Sequence, residues 1–239
     1  MGVTQKLACV VDTIVPHGEH VYSVTLRPER PAPRFRAGQF LHLALDPYEP
    51  TGFWPESRVF SIASSPAERR EVRITYAVHG GFTARMETEL VEGREVWIKM
   101  PYGDFVIAEG TDVMLFAGGT GVTAFTAFLE TRPAAATHLV ALASGARRGG
   151  LLIYRDVLQR CAGGRGALNV SYFVEHPALD DPPGTIAGRV TVDAIWPGIP
   201  RPFETGYYIS GPPAMLRSIG DELRAHAIAP EAIHIDAWE

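Results

Sequence analysis

Asp112-Val-Met-Leu-Phe-Ala-Gly-Gly-Thr-Gly-Val-Thr-Ala-Phe-Thr-Ala-Phe-Leu129 changes its hydrophobic period at the glycines, and that change decides the fold. Val113 to Ala117 read as a short buried strand. From Gly121 onward Val122, Phe125, Phe128 and Leu129 recur at three- to four-residue spacing, which is one face of a helix. A strand, a glycine turn and a helix can hold a dinucleotide. Glycine lets the backbone approach a pyrophosphate, and the helix start offers unpaired N–H groups. Gly119-Thr120-Gly121-Val122-Thr123-Ala124 fits the G-x-G-x-x-A form of that fingerprint, although a tight connection between strand and helix has the same residues. The clustered glycines and the shortness of the run argue against a membrane span.

Working outward, strands and helices alternate on the C-terminal side. Strand Val113–Ala117 and helix Gly121–Glu130 are followed by strand His138–Ala143, helix Leu151–Cys161 and strand Leu168–Val174. A proline-rich connection then leads to strand Tyr207–Ser210, helix Pro213–Ala225 and a last strand Ile233–Ala237. Such alternation implies an α/β doubly wound parallel sheet.

On the N-terminal side, β-like runs alternate with Pro, Gly and charged turns: Lys6–Ile14, His20–Leu26, Gln39–Leu45, Arg58–Ser64, Glu71–Ala77 and Glu95–Met100. That spacing suggests an antiparallel β-barrel or sandwich. One helix interrupts it, after His79-Gly80-Gly81-Phe82-Thr83. Thr83 can cap this helix, and Met86, Leu90 and Val91 form its apolar side. Two domains are expected, 1–108 and 109–239.

With 239 residues, 21% of them charged, and a net charge of -5, the chain has no polyelectrolyte signal for nucleic acid or anionic membrane. Its first residues lack an apolar signal region, so a cytoplasmic location is expected. Cys9 and Cys161 form no disulfide framework and are too few to hold an iron-sulfur cluster within the chain. No two histidines have metal-ligand spacing, and His42, His138 and His234 are read as structural members of strands.

Arg58-Val59-Phe60-Ser61 places an arginine, an aromatic and a hydroxyl at strand spacing. It resembles the Arg-x-Tyr-Ser flavin motif of the ferredoxin-NADP reductase superfamily. Gly80-Gly81-Phe82-Thr83 is similar to that family's second flavin motif and Pro101 to Phe105 to its inter-domain turn. Gly118 to Thr123 resemble its nicotinamide-nucleotide loop, and Ser210-Gly211-Pro212-Pro213-Ala214-Met215 its Cys-Gly-Pro-Pro-x-Met signature. The five motifs stand in the family's order.

The resemblance implies FAD on the barrel and NADPH or NADH on the α/β domain, with the nicotinamide meeting the flavin between them. Arg58 and Thr83, with the backbone around Gly81 and Phe82, would hold the FAD pyrophosphate. Val59, Val78 and Gly80 complete the flavin side, and Ser61 would stand near flavin N5. Phe60 replaces the stacking tyrosine, so stacking remains while a hydroxyl hydrogen bond is lost. Gly119, Thr120, Gly121, Val122, Gly211, Pro212 and Met215 would hold the nicotinamide nucleotide.

Ser210 replaces the family's cysteine near the nicotinamide, and Asp236 falls near a family acidic residue there. Trp238 is either the terminal aromatic set beside the flavin or a core residue closing the last strand. No carboxylate ends the second strand of the α/β domain. Instead come Arg147 and Arg148, which suit a 2′-phosphate or else a solvated loop. The function so implied is hydride transfer from NAD(P)H to FAD, then single electrons to a separate acceptor protein: a ferredoxin, a flavodoxin or an iron-sulfur subunit. Two alternatives stay open, a flavin reductase with dissociable flavin and an electron-transfer subunit active only in a larger complex. Arg27, Arg30, Arg34 and Arg36 form either a solvated face or a receiving surface for an acidic carrier.

Overall fold

The computed structural model describes residues 3–133, 136–163 and 168–237. The chain divides into two compact units, Met1–Val106 and Ile107–Glu239.

The first unit is a six-stranded antiparallel sheet of β1 (Gln5–Gly18), β2 (Val21–Pro28), β3 (Phe40–Ala44), β4 (Ser57–Ser61), β5 (Val72–Ala77) and β6 (Glu95–Tyr102). The spatial order is β4-β3-β6-β1-β2-β5. A 2.7 Å hydrogen bond from Ala63 N–H, just past edge strand β4, to the Arg73 carbonyl in edge strand β5 links the two edges, so the sheet is a nearly closed barrel. Alternation decides which side chains fill it. Leu7, Cys9 and Val11 of β1 and Val96, Ile98 and Met100 of β6 are buried at every second position. Helix α1 (Gly81–Glu89) adds Phe82 and Met86 to this core, with Leu90 at its end.

Two details of α1 differ from expectation. The helix begins at Gly81, so Thr83 lies within its first turn instead of at the cap, and Gly80 occupies the cap position. Val91 is 58% exposed, because the helix has ended and its side chain no longer follows the apolar face.

The second unit is a parallel sheet in the order β10-β9-β8-β7-β11-β12. Its strands are β7 (Val113–Gly118), β8 (Val140–Ala146), β9 (Leu168–Val174), β10 (Ile186–Ala187), β11 (Gly206–Ser210) and β12 (Ile233–Ile235). Met114 and Phe116 of β7 pack with Ile219 and Leu223 of α5 (Pro213–Ala225). Val113 and Leu115 are equally buried and point to the other face, so both faces are covered. Helices α2 (Thr123–Thr131), α3 (Arg155–Ala162) and α4 (Val192–Ile195) complete the unit.

The glycine-rich run departs from the expected helix start. Gly119–Val122 form one turn of 3-10 helix, and the α-helix begins at Thr123. His138 precedes β8 instead of lying in it, and β10 and α4 fall within the stretch read only as a proline-rich connection. No described helix is long and apolar enough to cross a membrane.

Candidate functional site

In the first unit, β4 and the start of α1 converge. The Arg58 guanidinium carbon lies 5.3 Å from the centre of the Phe82 ring, so an exposed cation stands over the first turn of α1. The Thr83 hydroxyl accepts hydrogen bonds from the N–H groups of His79 at 2.8 Å and Gly80 at 3.1 Å, and donates to the Gly80 carbonyl at 3.1 Å. Its oxygen is committed to shaping the turn. The N–H groups of Gly81 and Phe82 belong to the first helical positions, which have no carbonyl partner within a helix. No heavy atom stands within 4 Å of a Cβ built on Gly80 or Gly81, so the approach to these donors is open. An arginine, orphan N–H groups and a helix N-terminus together suit an anion.

Phe60 packs partly buried against the barrel core, as does Val78, and Val59 and Ser61 are half-buried in the same strand. Tyr76 meets the Phe60 ring edge-on at 6.4 Å and stacks on Tyr22 at 5.4 Å, and the Tyr22 hydroxyl donates to Glu87 at 2.8 Å. That hydrogen bond, followed by burial, raises the Tyr22 pKa, and the bonds from His20 and Tyr22 lower that of Glu87. This support under Phe60 was not visible in the sequence, because its members come from β2, β5 and α1.

The β3–β4 loop is tied to the same helix. Arg85 of α1 binds Asp46 through Nη2 at 2.8 Å and Glu89 through Nε at 2.8 Å. Arg94 reaches the same Glu89 at 2.8 Å. Hydrogen bonding to Arg85 holds the Asp46 and Glu89 carboxyls below their ordinary range. Of the basic stretch, Arg27 is paired with Asp12 at 2.8 Å, and Arg30 bonds Gln5 and the Lys6 carbonyl. Arg34 and Arg36 are exposed.

In the second unit, strand order reverses between β7 and β11, and the crevice beyond the carboxyl ends of such strands is where open α/β sheets take ligands. Gly118–Val122 follow β7 there and Gly211–Met215 follow β11. The two loops touch backbone to backbone. A Cβ on Gly121 would stand 2.2 Å from the Ser210 carbonyl oxygen, and one on Gly118 would stand 2.5 Å from Met215 Sδ and 2.8 Å from Pro212 Cδ. Gly119 has φ +54 and room for a side chain, a half-buried left-handed residue in the turn. Thr120 is half-buried and Val122 buried within the same turn. The Thr123 hydroxyl is buried without a hydrogen-bond partner at the head of α2.

Ser210 Oγ donates to Asp236 Oδ2 at 2.8 Å, with both residues buried, so two of the expected catalytic residues meet beside this crevice. Ser61, the third, belongs to the other unit. Arg147 and Arg148 are exposed just past β8. Sequence spacing gave no carboxylate here, but Asp181 supplies one: a Cβ on Gly149 would collide with its Oδ1. Trp238 lies outside the described residues.

Residues 115–221 match the oxidoreductase NAD-binding domain family. The Amycolatopsis cytochrome P450 reductase superposes with a TM-score of 0.84 at 22% identity, covering 99% of this chain and 70% of that one. The fold is that of ferredoxin-NADP reductase-like proteins. The ferredoxin NADP+ reductase of Neisseria gonorrhoeae, solved with bound FAD and NADP, has this fold over 98% of both chains, with a TM-score of 0.78 at 17% identity. Among curated proteins, the probable electron transfer subunit of dihydroorotate dehydrogenase B (NAD(+)) from Methanopyrus kandleri is 32% identical over 53% of this chain. The reductase component of propane 2-monooxygenase from Mycolicibacterium goodii is 26% identical over 98% of this chain and 68% of its own length. The chain spans 44% of the Methanopyrus protein and 56% of the Bacillus subtilis flavohemoprotein, about half of each.

Proposed function

We propose that this chain is a flavoprotein reductase that takes a hydride from NAD(P)H and passes electrons to a separate protein acceptor. The observation that carries the reading is the presence of two nucleotide-type cradles on one chain: Arg58 over the start of α1, and the glycine loop after β7 packed on the loop after β11. Relatives named as reductase components or electron transfer subunits support it.

Bound FAD would supply the redox chemistry, accepting two electrons together and releasing them singly. The residues present fit that group. Arg58 would bind its pyrophosphate as a fork of N–H donors, and the Gly81 and Phe82 N–H groups would meet the same anion from the helix start. Thr83 keeps those N–H groups aimed by bonding the backbone at His79 and Gly80. Phe60 offers a flat apolar face, held at its edge by Tyr76. Val59 and Val78 flank it, and Ser61 presents a hydroxyl. Gly119, Thr120, Gly121 and Val122 would receive the nicotinamide nucleotide opposite Gly211, Pro212 and Met215. Ser210, oriented by Asp236, presents a polar group at the end of β11. Orientation is the protein's contribution, since the cofactors carry the reaction.

The acceptor would be a protein with a one-electron centre, such as a ferredoxin, a flavodoxin or an iron-sulfur subunit. Arg34 and Arg36 form the part of the basic stretch left to steer an acidic partner. A second reading, a flavin reductase with dissociable flavin, is favoured by Phe60, which lacks the phenol hydroxyl that would help hold a resident cofactor. The test is purification followed by anaerobic titration. A yellow protein whose FAD survives gel filtration, bleaches with NADPH and reduces a ferredoxin at a salt-sensitive rate supports the first reading. A colourless protein that ignores carrier proteins and turns over free FMN, FAD or riboflavin overturns it in favour of the second.

A further inference from the structure

Arg58 already has a carboxylate. Its Nη2 lies 3.2 Å from Glu56 Oε1, with both side chains 53% exposed. The same carboxylate has a second cation within reach, because Glu56 Oε2 stands 4.0 Å from Nη1 of Arg85. Arg85 is fixed by Asp46 and Glu89, each at 2.8 Å. Glu56 therefore stands between an anchored guanidinium and the one that faces the start of α1.

We propose that Glu56 is an internal stand-in for the diphosphate: it occupies Arg58 when no ligand phosphate is present and turns to Arg85 when one binds. The inference rests on the assignment of Arg58 to the FAD pyrophosphate. A carboxylate and a phosphate oxygen compete for the same N–H fork, and Glu56 is two residues from Arg58 along the chain, so it is always at hand. The exposed Glu56–Arg58 pair is weak in water and easily displaced, so the carboxylate tunes affinity without blocking the site. Arg85 limits the repulsion between the displaced Glu56 and the incoming diphosphate. Holding FAD less tightly than the bare cradle would is the functional consequence, and Glu56 and the absent phenol at Phe60 act in the same direction.

The test is titration of the flavin-free protein with FAD and, in parallel, with riboflavin, which has no phosphate. The parent, Glu56→Gln and Arg58→Ala are compared at low and high salt by flavin fluorescence. Glu56→Gln should lower the FAD Kd about two- to fivefold at low salt. The gain should shrink as salt rises, and riboflavin binding should not change. Equal tightening of FAD and riboflavin would overturn the competition, since the effect would then lie away from the phosphate. An unchanged or weaker FAD Kd in Glu56→Gln, with binding lost in Arg58→Ala, would also overturn it while leaving Arg58 as the FAD ligand. If Arg58→Ala binds FAD as the parent does, the assignment of Arg58 fails and the competition fails with it.

Discussion

Ser210 Oγ donates a 2.8 Å hydrogen bond to Asp236 Oδ2, and this buried pair joins the end of β11 to the residue that follows β12. The backbone repeats the link, with Asp236 N–H donating to the Ile209 carbonyl at 2.9 Å. Removing the hydroxyl leaves a buried carboxylate short of a donor, which costs about 1 to 3 kcal/mol. Ser210→Ala should therefore lower the denaturant midpoint with an unchanged m-value. If Ser210 also orients the nicotinamide, kcat/KM for NAD(P)H should fall while FAD content stays at the parent's. Ser210→Cys, which gives the cysteine of the signature that Ser210 to Met215 resemble, should recover activity further than Ser210→Ala. Equal activity in all three proteins would remove Ser210 from the site.

How much of this was legible in the sequence follows from range. The strands from Gln5 to Tyr102 and the α/β alternation from Val113 onward were readable because periods of two and of three to four residues are local. β10, with two residues, and α4, with four, are too short to show a period. Gly121 and Gly118 were legible as a turn, but their close fit against Ser210, Pro212 and Met215 joins segments about ninety residues apart in the chain. Glu56, Arg85 and Asp181 gave no signal for the same reason: each acts through a contact that no local spacing encodes. Thr83 was recognised as a helix-start residue and misplaced by one turn, because a threonine at the third helical position serves the helix start from the other side, its side chain reaching back to the N–H groups at and before the cap.

The contact between the two loops of the second unit gives a domain-selective prediction. A methyl group at Gly121 would lie 2.2 Å from a backbone oxygen, which no rotamer change can relieve, so the loops must part. Overpacking of this kind costs about 1 to 3 kcal/mol. Gly121→Ala should lose NAD(P)H binding, read by calorimetry, and keep its FAD absorbance. Unchanged nucleotide affinity in this variant would show that the loop after β7 does not hold the nucleotide.

Acid stability should depend on Asp112 at the head of β7. It is 5% exposed and accepts hydrogen bonds from Arg201 at 2.8 Å and from the Leu139 N–H at 2.9 Å. Burial opposes its charge, but the Arg201 and Leu139 bonds outweigh burial and hold the carboxyl below its ordinary value of 3.8. A depressed folded-state pKa contributes stability above the unfolded value, and that contribution is lost as pH falls through the folded one. Denaturation free energy should therefore drop below about pH 4 by more in the parent than in Asp112→Asn. Parallel stability curves for the two proteins from pH 6 to 2 would remove Asp112 as the cause.

Nucleotide choice should depend on opposing charges beside β8. Arg147 and Arg148 follow its last residue, and the strand does not itself end in the carboxylate that in NAD-selective sites takes the ribose 2′-hydroxyl. Two guanidiniums there favour a 2′-phosphate, so NADPH should be used in preference to NADH. Asp181 works the other way, because its carboxylate packs against Gly149, next to Arg148, and would repel that phosphate. Loss of a charge-assisted contact costs about 1.5 to 3 kcal/mol, roughly ten- to hundredfold in affinity. Arg147→Ala with Arg148→Ala should therefore lower kcat/KM for NADPH by at least about tenfold and leave NADH nearly unchanged. Asp181→Asn should raise the NADPH to NADH ratio. The two variants must move the ratio in opposite directions if one phosphate is being read. A parent with equal kcat/KM for both nucleotides, or a double arginine variant that loses both equally, would place the 2′-position away from this strand end.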